Sequence, residues 1–233
     1  MSKTWIKRVR SRRMAALRMV LRWVILRPVS RWFLRIHISG LSKCAHLDRP
    51  IVVIANHNSH WDSVLLHAYL PSAITRCLAT AAAADHFFIR TRRPLAPRLL
   101  FNAFPVGRPG KVGHAPLGLT GELLDHGTSV LIFPEGTRSR NGTTGAFNRG
   151  AASLAVRRRL TCLPIRITGT WEAWPPQQSR PQRPRRDVAM IIEDPITPHD
   201  GETIAAFNQR LQQLLNYTTP SGPSVSAWCE TLG

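Results

Sequence analysis

Three short apolar runs, each ending in polar and turn-forming residues, constrain the fold of this chain more than any other feature. Ile51-Val52-Val53-Ile54-Ala55 and Val130-Leu131-Ile132-Phe133 contain no polar side chain, and Leu163-Pro164-Ile165-Arg166-Ile167 contains one. Runs of this length without polar alternation read as buried strands. Asp62 to Leu70 has helical composition, as does Gly150 to Arg159 between the second and third runs. Strand, helix, strand spacing predicts an α/β fold: a single layered domain with a largely parallel central sheet flanked by helices. Val188 to Ile192 adds a strand and Glu202 to Leu215 a closing helix, with a polar, basic, proline-rich loop from Pro175 to Arg186 before them. The domain is expected over residues 46–217, followed by a loose tail at 218–233.

The chain carries 32 Lys+Arg against 13 Asp+Glu, a net charge of +19 over 233 residues, and 43% of it is apolar. That apolar fraction fills a core at this length and excludes a disordered basic tail. The charge implies an anionic partner, and nucleic acid, an anionic bilayer and a phosphorylated substrate all qualify. Its distribution is uneven, because 12 of the 32 bases precede Asp48, the first acidic residue. Within this leader Met14, Leu17, Leu21, Val24 and Ile25 recur at helical spacing with Arg18 and Arg22 between them, and Pro28 should end or kink the segment.

Residues 1–45 are therefore expected to form a basic amphipathic helical segment ahead of the domain. Such a helix lies in a membrane interface with Trp23 and the leucines among acyl chains and the arginines on lipid phosphates. The same pattern fits a solvated helix that docks its apolar stripe on the domain. Ser11-Arg12-Arg13 with Leu17 resembles a twin-arginine export signal, but Arg18, Arg22 and Arg27 interrupt the apolar region and no cleavage-like site follows. An organelle transit peptide shares the Arg-rich, acid-poor composition. No run approaches the roughly 18 to 20 apolar residues of a membrane-spanning helix, so a peripheral or monotopic protein on the cytoplasmic face of the cell membrane is expected. Cys44, Cys77, Cys162 and Cys229 show no pair at zinc or redox-hairpin spacing, which fits a reduced compartment and no metal.

The richest chemistry lies where the first run ends, in Asn56-His57-Asn58-Ser59-His60-Trp61-Asp62. Five residues on one helix would point His57 and Asp62 about 140° apart, so they can meet only if His57 lies on the turn and Asp62 in the first helical turn. The carboxylate could then take the Nδ1 proton of His57 and leave Nε2 as a general base. The plainer alternative is a capping Asp62 and a satisfied turn histidine. His60, two residues from Asp62, is expected to be diverted elsewhere. Phe133-Pro134-Glu135-Gly136-Thr137-Arg138-Ser139-Arg140 follows the second run and offers hydroxyls and guanidiniums suited to phosphate, or an ordinary polar turn. Phe104-Pro105-Val106-Gly107-Arg108 ends another apolar segment in an arginine, which can equally be a solvated charge. Gly110-Lys111 lacks the frame of a P-loop, and no Gly-x-Ser-x-Gly nucleophile elbow occurs.

The order of these blocks resembles the glycerophospholipid acyltransferase family, most of all its 1-acylglycerol-3-phosphate acyltransferases, over roughly residues 50 to 170. The resemblance implies transfer of a fatty acyl group from an acyl-CoA or acyl-carrier-protein thioester to the hydroxyl of a lysophospholipid, with no cofactor, and the missing nucleophile elbow makes direct transfer without a covalent acyl-enzyme the expected route. It implies catalytic roles for His57 and Asp62. Arg108, Glu135, Gly136, Thr137 and Arg138 match blocks assigned to the acceptor phosphate, although an anionic Glu135 better suits orienting Arg138 or a backbone turn. Gly107 stands where the family often has a polar residue, which loosens that block. Glycerol-3-phosphate or a non-phosphate lyso-lipid are alternative acceptors. An anionic phospholipid surface is the expected partner. The reading from another class is a basic nucleic-acid-binding module, and no nucleic acid is expected on the first reading.

Overall fold

A computed structural model describes residues 2–83, 95–106 and 118–216. Seven strands, β1 Leu34–Ser39, β2 Val52–Ala55, β3 Leu78–Ala83, β4 Phe104–Val106, β5 Ser129–Ile132, β6 Cys162–Thr168 and β7 Arg186–Ile192, form one sheet. Their order is β1-β7-β6-β2-β5-β3-β4. All neighbours run parallel except β6 and β7, which pair antiparallel. The helices are α1 Ser2–Val9, α2 Arg12–Leu21, α3 Arg27–Phe33, α4 Trp61–Tyr69, α5 Ser72–Thr75, α6 Leu95–Leu100, α7 Gly118–Asp125, α8 Gly150–Arg158, α9 Thr170–Ala173 and α10 Ile204–Asn216. The expected single α/β domain with a largely parallel sheet is what the chain forms, and a basic helical region precedes the sheet.

The uninterrupted apolar runs are explained by two cores. Alternate side chains of a strand point to opposite faces, so Val53 and Ala55 of β2 pack with Trp61, Leu65 and Leu66 of α4. Val52 and Ile54 pack on the other side with Leu123 of α7, Ala152 of α8 and Phe207 of α10. A central strand covered on both faces needs apolar residues at every position, as parallel sheets generally do.

The leader departs from expectation in three ways. First, Pro28 neither ends nor breaks the helical path. A π-turn at Arg22–Leu26 joins α2 to α3, and Pro28 falls in the first turn of α3, where a missing N–H is tolerated. Second, Arg18 and Arg22 are buried, at 9% and 5% exposure, and do not face outward. Arg22 donates through Nε to Ala68 O at 2.8 Å, through Nη1 to Thr75 Oγ1 at 2.5 Å and through Nη2 to Leu70 O, while Arg27 Nε reaches Ala68 O at 2.8 Å. The last carbonyls of α4 have no partner within their own helix and carry its negative dipole end, so a guanidinium satisfies them on both counts, worth up to about 2 kcal/mol when partly buried. Burial, and secondarily Arg27, lowers the Arg22 pKa to about 10, so the group stays charged at neutral pH. The apolar stripe consequently points away from the domain: Trp23 is 58%, Val24 67% and Trp32 64% exposed. Neither orientation expected of an amphipathic helix, with arginines on phosphates or stripe on the domain, describes these two arginines.

Third, β1 lies inside residues 1–45 and is part of the sheet, pairing parallel with β7 from Leu34↔Arg186 to Ser39↔Ile191. The unpaired backbone edge of β7 needs a partner, and Leu34, Ile36 and Ile38 provide alternating apolar contacts to the α4-side core. Among the described residues no helix is long and apolar enough to cross a membrane. The tail at 218–233 lies outside the described residues.

Candidate active site

Strands β6, β2 and β5 are neighbours and parallel, so their carboxyl ends open on one edge of the sheet, where open α/β sheets gather ligands. The turn beyond each strand carries functional side chains to that edge. Past β2, Asn56 joins this strand to β6, donating Nδ2 to Ile167 O and accepting from Ile167 N, both at 2.8 Å. Its side chain thus prolongs the ladder, and His57 emerges from a fixed point.

His57 Nδ1 lies 2.9 Å from Asp62 Oδ2. The same oxygen accepts the backbone N–H groups of Asn58 and Ser59 at 2.7 Å each, and Oδ1 accepts the hydroxyl of Thr170 at 2.7 Å. The carboxylate is fully buried, and four donors replace the water it lost. Asp62 sits in the first turn of α4, where the positive end of the helix dipole also favours it. Because a carboxylate only accepts, Nδ1 carries the proton and Nε2 presents a lone pair. The His57 side chain is 19% exposed and stacks on Phe133, centroid to centroid 3.9 Å and 16° from parallel. Phe133 follows β5 and Thr170 follows β6, so all three strand ends converge on one imidazole.

The loop after β5 fixes the histidine's backbone. Glu135 Oε1 accepts His57 N at 2.7 Å, its Oε2 accepts Gly145 N at 2.8 Å, and Ser139 N donates to His57 O at 2.8 Å. Burial raises the Glu135 carboxyl pKa, against the pull of the Gly145 and His57 N–H groups. Both oxygens meet backbone N–H groups, the arrangement of a residue that orients a turn, the role an anionic Glu135 suits better than a phosphate contact. Gly136 turns the chain at φ +73°, and Thr137 is exposed.

Arg138 points to His60, Nη1 lying 2.5 and 2.8 Å from the two ring nitrogens. The His60 ring also packs on Trp174 at 4.7 Å. Burial, and next the Arg138 charge, pushes His60 down to about 4, so it is neutral at neutral pH. His60 is diverted from Asp62, as expected of it. Arg108 lies outside the described residues.

Thr170, Asn56 and the stacking role of Phe133 escaped sequence reasoning. A signal for Thr170 exists, since Gly169-Thr170 terminates the third apolar run as Asn56-His57 terminates the first. Gly169 has φ +77°, and a Cβ there would come 2.2 Å from Asp187 O, so only glycine lets β7 pass while Thr170 turns toward Asp62.

A largely parallel α/β sheet with a carboxylate-oriented imidazole on its carboxyl edge, beside an arginine, presents a basic nitrogen next to a group able to hold an anion. The chain belongs to the acyltransferase family, whose family model matches residues 35–168. It is 29% identical over 170 residues to the chloroplastic 1-acyl-sn-glycerol-3-phosphate acyltransferase of Arabidopsis thaliana, covering 70% of this chain and 44% of that protein. It is 29% identical over 189 residues to the 1-acyl-sn-glycerol-3-phosphate acyltransferase of Pseudomonas aeruginosa, covering 79% and 69%. The match thus spans less than half of the plant relative and about two thirds of the bacterial one. The crystal structure of the 1-acyl-sn-glycerophosphate acyltransferase from Thermotoga maritima shares the fold, with a TM-score of 0.62 at 21% identity over 85% of this chain and 80% of that one.

Proposed function

We propose that the protein moves a fatty acyl group from a thioester to the free hydroxyl of 1-acyl-sn-glycerol-3-phosphate, giving phosphatidic acid. The observation that carries this reading is the 2.9 Å contact from His57 Nδ1 to a fully buried, four-fold hydrogen-bonded Asp62. His57 Nε2 takes the proton of the acceptor hydroxyl as its oxygen attacks the thioester carbonyl. The tetrahedral intermediate expels thiolate, which recovers the proton from the imidazolium. Asp62 holds the tautomer and stabilises the imidazolium, and general-base assistance of this kind supplies about 10² to 10⁴ in rate. Arg138, half-buried beside a neutral His60 and within electrostatic reach of Asp62, is suited to the acceptor phosphate. The names of the Arabidopsis and Pseudomonas relatives support the acceptor.

The outward apolar face that runs from α2 through the π-turn into α3 supports membrane-surface association. Trp23, Val24 and Trp32 would enter the acyl region of an anionic bilayer while the surrounding basic residues meet its phosphates.

The test is incubation of purified protein with labelled oleoyl-CoA and a panel of lyso-lipids, following thiol release and acylated product together. 1-Acyl-sn-glycerol-3-phosphate should be the preferred acceptor, with His57→Ala abolishing turnover and Arg138→Ala raising the acceptor KM. Full activity in the His57 variant would falsify the general-base role.

A further inference from the structure

Where the leader docks on the domain, it buries positive charge that no carboxylate of its own can meet. A small cavity of about 10 Å³ lies at this junction, with Arg18, Met19, Arg22, His67, Thr75 and Leu100 in its wall. Five elements, α2, the π-turn, α4, α5 and α6, contribute to that wall. The space suits one particle of about the size of a water molecule, and a phosphate or an organic acid is too large for it.

The charged part of the wall is cationic, and both guanidiniums are more than nine-tenths buried. Arg22 spends Nε, Nη1 and Nη2 on Ala68 O, Thr75 Oγ1 and Leu70 O. These acceptors satisfy its hydrogens but are neutral, so its unit charge stays uncompensated. Arg18 is less well served. Its Nη2 reaches Val9 O at 3.3 Å, just past the usual range for such a bond, and its buried Nε has no partner. Among the described residues neither arginine forms an ion pair with a carboxylate. No acidic residue precedes Asp48, so α2 and the π-turn bring none with them, and no lining residue is acidic. The group of opposite sense that acts on Arg18 is the Cys77 thiol, and thiols are mostly protonated at neutral pH.

His67 registers the resulting field. Its Nε2 lies 2.7 Å from Thr80 Oγ1, and after burial it is Arg18 and Arg22 that push the ring down to about 3. A water molecule in the cavity could accept from Arg18 Nε, yet it would leave two buried positive charges unbalanced. An anion accepts the same hydrogen and also supplies the opposing charge, at a place where low polarity strengthens the attraction. The small volume restricts that anion to a single atom, and a halide is little larger than water.

We propose that the cavity binds one halide ion, chloride under ordinary conditions, held by Arg18 Nε and the charge of Arg22, and that the ion fastens the leader to α4, α5 and α6. The site lies outside the acyl-transfer machinery and does not depend on that reading.

Urea unfolding at constant ionic strength, with gluconate replaced stepwise by chloride, tests it. One site present only in the folded protein makes the unfolding constant fall about tenfold for each tenfold rise in chloride above the dissociation constant. Gluconate is too large to enter and should give no such fall. Arg18→Met keeps an apolar stem, removes the guanidinium and should abolish the chloride dependence. Arg12→Met, at an exposed position on the same helix, should retain it. Crystals of the unaltered protein soaked in bromide give a second reading that needs no variant, since anomalous scattering should peak inside the cavity beside Arg18 Nε. Density there without an anomalous signal identifies water and overturns the proposal. An unfolding constant that responds alike to chloride and gluconate overturns it too, as does a chloride dependence that survives Arg18→Met.

Discussion

Arg22 donates to the carbonyl of Ala68 at 2.8 Å, which fastens the leader to the last turn of α4, the helix whose first turn holds Asp62. One short helix thus has a leader cation at its carboxyl end and the buried carboxylate at its amino end. Arg22→Ala removes the guanidinium donated to Leu70 O in a buried place and leaves Ala68 O to Arg27 alone. Unfolding in urea should show a loss of roughly 3 kcal/mol, the scale of hydrogen bonds from a charged group. Arg12→Ala, at an exposed position, should change stability by less than about 0.5 kcal/mol. Equal effects from the two variants would mean that the clamp carries no stability.

Among the described residues the hydroxyl of Thr170 is the one side-chain donor that Asp62 receives besides His57. Thr170→Val keeps the shape and removes the donor, so kcat should fall roughly tenfold with both KM values little changed. Thr170→Ser should recover most of the rate. A serine variant as slow as the valine one points to packing rather than to the hydrogen bond.

His67 on α4 is buried, its Nε2 2.7 Å from Thr80 Oγ1, and burial first, then Arg18 and Arg22, pushes its pKa from 6.5 down to about 3. The folded protein keeps this ring neutral at pH values where the unfolded chain protonates it. Stability is therefore unaffected above about pH 6.5 and declines as pH falls toward the folded pKa, by about 1.4 kcal/mol per unit from this group. His67→Gln should flatten that acid limb relative to the parent protein in urea titrations between pH 7 and 4. Parallel curves for the two proteins would show that His67 titrates alike in both states.

Trp23 and Trp32 lie on the outward face of the leader at 58% and 64% exposure. Replacing both with serine should reduce sedimentation with phosphatidylglycerol-containing vesicles by about tenfold or more, given about 1.5 to 3 kcal/mol for a buried large apolar side chain. The thermal midpoint should hardly move, because neither ring packs in the core. Undiminished sedimentation excludes this face as the membrane contact.

The parts of the fold legible in sequence are those where burial leaves a local trace. The runs at 51–55, 130–133 and 163–167 can only be interior strands, and the observed β2, β5 and β6 differ from them by a residue or two at the ends. β1 is hidden because its alternating Leu34, Ile36 and Ile38 lie in a stretch dominated by arginine, and its pairing partner is far along the chain. The leader's inverted orientation is illegible for a related reason. A helical wheel shows which residues share a face, but the orphan carbonyls of α4 decide which face is drawn inward. At the site, His57 and Asp62 are readable because the turn between them is local. Thr170 reaches Asp62 across 108 residues, and no spacing rule encodes that.

The pairing of β1 with β7 has a consequence for the birth of the molecule. Leu34 emerges from the ribosome about 150 residues ahead of Arg186, its opposite number. Through most of synthesis the first strand has no ladder to join, and the arginines before it wait only for α4. The nascent chain is thus expected to fasten its leader early and to seal that border of the sheet last, so ribosome-stalled intermediates ending before residue 186 should leave β1 open to exchange and to proteolysis.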